Sequence, residues 1–167
     1  MSALTRAHAA FTRGLFGLAC AALVAMLAAY VTEVVLRYCF NAPTRWSSDA
    51  VSYAMLVCIA FALPAVTRDN GHVAITSLVE RLSPALRAQA YRLLAWLSAL
   101  ACLAAAALLA SQGVAQWRDG IETVAAFAIP KWWLSAAAAL GFAGAATQYV
   151  GHVLQADAGA LGGEREV

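Results

Sequence analysis

Four long stretches of this chain contain almost nothing that water would hold. Residues 15–36 are apolar apart from Thr32 and Glu33, and residues 50–66 carry no charge. Residues 93–110 are apolar except for Ser98, and residues 132–153 are broken only by Ser135, Thr147, Gln148 and His152. A helix crosses a hydrocarbon core of about 30 Å with about 20 such residues. A crossing chain must also satisfy its own backbone, which helices do within one segment. The sequence therefore predicts an all-α membrane protein with four transmembrane helices, at about 15–36, 47–67, 91–112 and 132–153. Charged residues make up only 12% of the 167 positions, about half the share of a soluble domain, which excludes a water-soluble enzyme. Length and pattern predict a single membrane domain over residues 1–155. Residues 156–167, with three glycines and mixed charge, are expected to form a flexible tail.

The first run does not read as a secretory signal peptide. It extends over about 22 residues, longer than an h-region of about 7 to 15, and no small-x-small cleavage site follows it. Orientation follows from the arginines and lysine of the connecting segments. With the N-terminus inside, Arg6, Arg13, Arg68, Arg81, Arg87, Arg92 and Arg165 fall on the inner face, and Arg37, Arg45, Arg118 and Lys131 on the outer. That bias predicts cytoplasmic N- and C-termini. Arg37 follows Glu33 by four residues, a spacing that puts both on one helix face, where they can neutralise each other.

Between the second and third runs, Asn70-Gly71 reads as a turn, and Ile75, Leu78, Val79, Leu82 and Leu86 repeat at helical spacing. This predicts an interfacial amphipathic helix between spans two and three. Ser83-Pro84 then offers a cap and a first helical position for a long helix that Gly120 would close. Arg68, Arg81, Arg87 and Arg92 are expected to hold anionic headgroups of the inner leaflet, each worth about 1 kcal/mol near the surface. His72 would bind a lipid phosphate or cap the interfacial helix. Trp132 and Trp133, beside Lys131, are expected at headgroup level, as is Trp46; docking to a partner is the sharper alternative. Ala137, Gly141 and Ala145 recur every four residues, which suits close helix packing, although an alanine-rich composition would produce the same pattern.

Catalytic signatures are missing. Cys20, Cys39, Cys58 and Cys102 form no C-x-x-C pair, which argues against a thiol oxidoreductase. His8, His72 and His152 are expected near or beyond the inner boundary, poorly placed to hold a haem between facing helices. No phosphate loop, zinc spacing or nucleophile motif is present, so neither enzyme chemistry nor a cofactor is expected. The spans also lack the mid-depth charges or broken helices of a carrier that moves an ion alone. A scaffold or accessory subunit fits best; an assembly factor or small oligomeric channel protein is the alternative.

Arg37-Tyr38-Cys39-Phe40-Asn41-Ala42-Pro43-Thr44-Arg45-Trp46-Ser47-Ser48-Asp49 resembles the R-Y-x-F-N-x-P-x-x-W-[ST]-x-[DE] signature of the DctQ-like family, the small membrane subunit of tripartite ATP-independent periplasmic (TRAP) transporters. Arg68-x-x-x-His72-Val73 with Leu82-Ser83-Pro84, and Ile129-Pro130-Lys131-Trp132-Trp133, are similar to two further blocks of that family. Departures are Ser48-Asp49, where many relatives carry two acidic residues, and missing prolines in the last span. The resemblance implies a bacterial inner membrane subunit that supports a large DctM-like membrane subunit. That partner would take up an organic acid with sodium, delivered by a periplasmic solute-binding protein; C4-dicarboxylates and sialic acids are usual solutes. It also implies a partner interface at Arg37, Tyr38, Asn41, Trp46 and Asp49. Three have a local alternative: Arg37 pairing with Glu33 or capping its helix, Asn41 with Pro43 making a turn, Asp49 complementing a helix start.

Overall fold

The computed structural model describes residues 3–68, 84–126 and 128–163. Four helices carry nearly all of them: α1 (Ala3–Cys39), α2 (Ser47–Arg68), α3 (Pro84–Arg118) and α4 (Lys131–Gly163). No strand is found among the described residues, whose one extended feature is an isolated bridge between Glu122 and Pro130. At about 1.5 Å per residue, the 22 residues of α2 span about 33 Å, close to one hydrocarbon core. The 37, 35 and 33 residues of α1, α3 and α4 exceed that length. By length and composition, α1, α2 and α3 are apolar enough to cross a membrane. In α4, Thr147, Gln148, three glycines and two tryptophans dilute the apolar run. The expected interfacial helix, with His72 and Arg81, lies outside the described residues.

The helices pack as an open layer. α2 contacts α1 on one side and α4 on the other, and α4 in turn carries α3, so the spatial order is α1, α2, α4, α3. The flanking helices each keep a wide face uncovered: Val24 is 67% exposed on α1 and Leu108 67% on α3. Apolar faces of this kind are costly in water and neutral in lipid, which is itself an apolar solvent.

Small residues bring the two central helices together. A Cβ placed on Gly141 would lie 2.8 Å from the Ala60 carbonyl carbon and closer still to its oxygen. One placed on Gly144 would lie 2.6 Å from Pro64 Cγ. Ala145 and Ala146 beside them are fully buried. Pro64 sits in the last turn but one of α2, and Thr67 is tied there by donating its hydroxyl hydrogen to the Leu63 carbonyl at 2.9 Å. The spaced small residues of α4 thus serve an interface, whereas Ala104 and Ala107 on α3 stay exposed.

The end of the layer at which α1 runs into α2 is labelled the outer end, and the opposite one the inner end; at the former, α3 closes as the sequence suggests. Gly120 adopts φ 61°, the Ile121 amide returns to the Gln116 carbonyl at 3.0 Å, and the Gly120 amide to the Trp117 carbonyl at 3.4 Å. This pair of bonds is the Schellman closure, which needs the left-handed conformation glycine adopts without cost.

Filling the central contact should be disruptive. Gly141→Val is expected to lower the apparent melting temperature in detergent by about 5 °C or more, through overpacking of about 1–3 kcal/mol. Gly17→Ala, with nothing near the added methyl, should leave it unchanged or slightly raised. Circular dichroism melts of the two variants check both outcomes.

Candidate functional site

The outer end of the layer is built around one carboxylate. Glu33 lies near the end of α1 and is only 7% exposed. Its Oε1 accepts from Arg37 Nε at 3.1 Å and Nη2 at 2.6 Å, and its Oε2 accepts from the Thr44 amide at 3.0 Å and from the Thr44 hydroxyl. A buried carboxylate is costly unless its charge is met and its lone pairs are filled; here both conditions hold. The chain can return to Glu33 because Asn41 takes φ 51°, a left-handed turn that Asn tolerates better than most residues. That reversal lets the Ala42 amide bond the Leu36 carbonyl at 3.0 Å. α2 then starts with the Ala50 amide on the Trp46 carbonyl at 3.0 Å.

A second loop locks onto α2. Residues 121–126 and 128–130 fold against one another: the Thr123 amide bonds the Ile129 carbonyl at 3.0 Å, the Ile129 amide bonds Thr123 Oγ1 at 3.0 Å, and the Lys131 amide bonds the Ile121 carbonyl at 3.0 Å. Asp49 Oδ2 accepts from the Ala126 amide at 2.8 Å, and the Tyr53 hydroxyl donates to Thr123 Oγ1 at 2.8 Å. Asp49 and Tyr53 are one helical turn apart, so a single face of α2 holds the loop at two points. The Ser135 hydroxyl donates to Gln116 Oε1 at 2.8 Å and joins α4 to α3 just below.

The other end carries a polar seam across three helices. Gln148 Nε2 donates to Thr12 Oγ1 at 2.8 Å, the Thr12 hydroxyl donates to the His8 carbonyl at 3.1 Å, and both side chains are buried. His8 Nε2 lies 2.9 Å from Thr147 Oγ1, and His152 Nε2 lies 3.2 Å from the Thr67 carbonyl. These bonds give α1 a hold on α4 beyond its packing against α2.

The structure gathers Arg37, Tyr38, Asn41, Trp46 and Asp49 at the outer end, but aims them differently. Arg37 takes the local partner, Glu33, with its side chain 56% exposed, and Asp49 faces the second loop. Tyr38, Phe40 and Trp46 point outward, with Tyr38 81% exposed. Val124 stands fully exposed at the loop tip. Trp132 and Trp133 meet edge to face at 5.8 Å where α4 begins, at the same outer end. Arg68 ends α2, while Arg87 and Arg92 lie in the first turns of α3, at the opposite end of the layer. Sequence reasoning missed Thr44, Tyr53, Thr123, Thr12 and Gln148. The spacing of Asp49 and Tyr53 was a signal, but their acceptor and donor lie some seventy residues away.

A cleft of about 390 Å³ opens in the outer half, lined by Ala22, Val57, Trp133, Leu134, Ala137 and Tyr53. No cation lines it among the described residues, and its tyrosine hydroxyl is already bonded to Thr123. An anionic solute would find no charge partner there.

The weight of Glu33 can be ranked. Glu33→Ala strands Thr44 and Arg37 together, whereas Arg37→Ala removes one of several donors. Thermal unfolding in detergent should show Glu33→Ala destabilised by about 1–3 kcal/mol and Arg37→Ala by clearly less. An equal loss in both would mean the arginine pair, not the turn, carries the contact.

A family model described as "Tripartite ATP-independent periplasmic transporters, DctQ component" matches residues 26–159. The match takes in the outer end of α1, both outer loops, α2, α3 and most of α4. The comparison with curated proteins found no match. With all but the first part of α1 and the last few residues covered, the chain belongs to the DctQ component family of tripartite ATP-independent periplasmic transporters, a membrane component of transporters and not an enzyme family.

Proposed function

We propose that this chain is the small membrane subunit of a sodium-coupled, binding-protein-dependent transporter, and that it supports a large membrane subunit in the uptake of an organic acid. The observation that carries the reading is the family match over residues 26–159. The geometry agrees with a supporting part: an open layer with two bare apolar edges, locked at both ends and without a charged cleft in its outer half. The substrate path then belongs to the large subunit, and the solute is chosen there and in the periplasmic binding protein.

In this reading α4 is the fourth span. Within its apolar run, Gln148 is buried and bonded to Thr12, and Thr147, though exposed, bonds the Gly144 carbonyl and His8, which lowers the cost of both in lipid. The N- and C-termini face the cytoplasm, as the distribution of basic residues favours. Trp132 and Trp133 then sit at the periplasmic headgroups, with Arg68, Arg87 and Arg92 near the inner ones. Tyr38, Trp46 and the outward side of Arg37 form the rim offered to the partner proteins, with Asn41 shaping the turn between them.

Deleting the chain should reduce sodium-dependent uptake of the cognate acid to background, and a tagged copy should co-purify with the large subunit in fixed ratio. Undiminished uptake would end this reading. The rim and the lock separate by substitution. Tyr38→Ala with Trp46→Ala should lower recovery of the large subunit while leaving the melt of the isolated chain unchanged. Asp49→Ala, which releases Ala126, should instead lower that melt by about 1 kcal/mol equivalent.

A further inference from the structure

We propose that the cleft in the outer half of the layer, between α1 and α4, holds one acyl chain of a phospholipid as a fixed part of the fold. Ala22 of α1 and Leu134 and Ala137 of α4 line it from two sides, and α2, which packs against both of those helices, closes its base with Ala54 and Val57. The cleft exists because contact between these helices is concentrated deeper. One turn inward of Ala137, Gly141 sits against the Ala60 backbone, and the bonds that join α1 to α4, Gln148 to Thr12 and His8 to Thr147, lie further in still. Outward of them each helix offers the cleft an alanine, Ala22, Ala54 and Ala137, too short to fill the space between the backbones.

The volume of about 390 Å³ needs an occupant. Water is a poor one, because a buried water needs about two to four polar partners. Among the described lining side chains only Tyr53 and Trp133 carry a polar atom, and the Tyr53 hydroxyl is spent on Thr123. A side chain from a partner protein is a poor one too, since even a leucine brings only four carbons. On α1, moreover, the bare face at Val24 points away from the cleft, because the two residues from Ala22 turn the helix by about 200°. A methylene takes up about as much room as a water molecule, roughly 30 Å³, so the cleft accommodates on the order of ten of them. A phospholipid chain is long enough, wholly apolar and already present at this depth. In the cleft it touches protein on three sides rather than one, and that gain in contacts selects it over lipid on a bare face, where apolar burial brings nothing. Trp133, 56% exposed in the first turn of α4, lines the outer end of the cleft, where an indole ring suits the level of the headgroups. The inference rests on α1, α2 and α4 lying in the bilayer as proposed above. It is independent of the transport role, so lipid retention and uptake can fail separately.

The test uses the full chain in a neutral detergent, washed free of lipid and then offered palmitoyl-oleoyl phosphatidylethanolamine. Native mass spectrometry should show one phospholipid retained per chain after loosely held ones are stripped. The lipid should also raise the apparent melting temperature by about 5 °C when present well above its dissociation constant. Ala137→Leu puts three more carbons into the cleft and should cut the retained fraction roughly fivefold. Its lipid-free melt should equal or exceed that of the lipid-free wild type and no longer respond to added lipid, and Ala22→Leu, from the opposite wall, should do the same. Ala104→Leu, on the exposed face of α3, should retain lipid and respond to it as the wild type does. Retention should survive co-purification with the large subunit. The proposal is overturned if the wild type retains no lipid, if both cleft variants keep it or lose it only with a lowered lipid-free melt, if Ala104→Leu loses as much as Ala137→Leu, or if the bound large subunit displaces it.

Discussion

In a hydrocarbon solvent, burying one apolar surface against another brings little gain, because lipid tails solvate Leu as well as Leu does. What holds helices together there is close contact between atoms, and Gly141 stands so near the Ala60 backbone that a Cβ would not fit between them. It brings the α2 and α4 backbones together, and Gly144 against Pro64 extends the contact by about one turn. With those two helices joined, α1 has one flank of α2 to occupy and α3 one flank of α4. The open order of the layer follows from that central pair.

Small residues give contact but little direction, since a stripe of alanines and glycines can slide. The two ends supply the register. At one, Glu33 collects the donors of Arg37 and Thr44, and Asp49 with Tyr53 holds the loop between α3 and α4. At the other, Gln148 reaches Thr12 and His152 reaches Thr67. Each such bond contributes about 0.5–1.5 kcal/mol, but an unmade one in a dry site costs more, so misaligned arrangements are penalised. The layer is therefore held by contact at its centre and by polar specificity at its rims.

Much of this was legible in the residues. Long apolar runs place the helices, Gly120 marks the close of α3, and Glu33 with Arg37 reveals its pairing by spacing alone. The outer motif and the family follow from the segment between Arg37 and Asp49. What could not be read were the acceptors and donors separated in sequence: Asp49 with Ala126, Tyr53 with Thr123, Thr12 with Gln148. Periodicity reports which face a residue occupies, and it is silent on which distant loop that face meets. The role of the α4 alanines was open for the same reason, because composition and packing produce one pattern until the opposite helix is in place. Thr44 was hidden differently: a single threonine in a loop carries no signal until the left-handed turn at Asn41 brings it back over α1.

In the supporting role proposed for it, the chain must resist deformation where its partner moves. An open layer is at risk of bending about its long axis, because no fourth side closes it. The bonds that oppose such bending are those joining helices out of simple neighbour order, and at the inner end α1 reaches past α2 to α4 through His8 and Gln148. At the outer end the loop between α3 and α4 reaches back to α2 through Asp49 and Tyr53, so α3 is restrained by a helix it barely touches. Each flank is thus tied to both central helices, one at each end of the layer. Flexing about any of the three seams therefore strains at least one of these polar bonds.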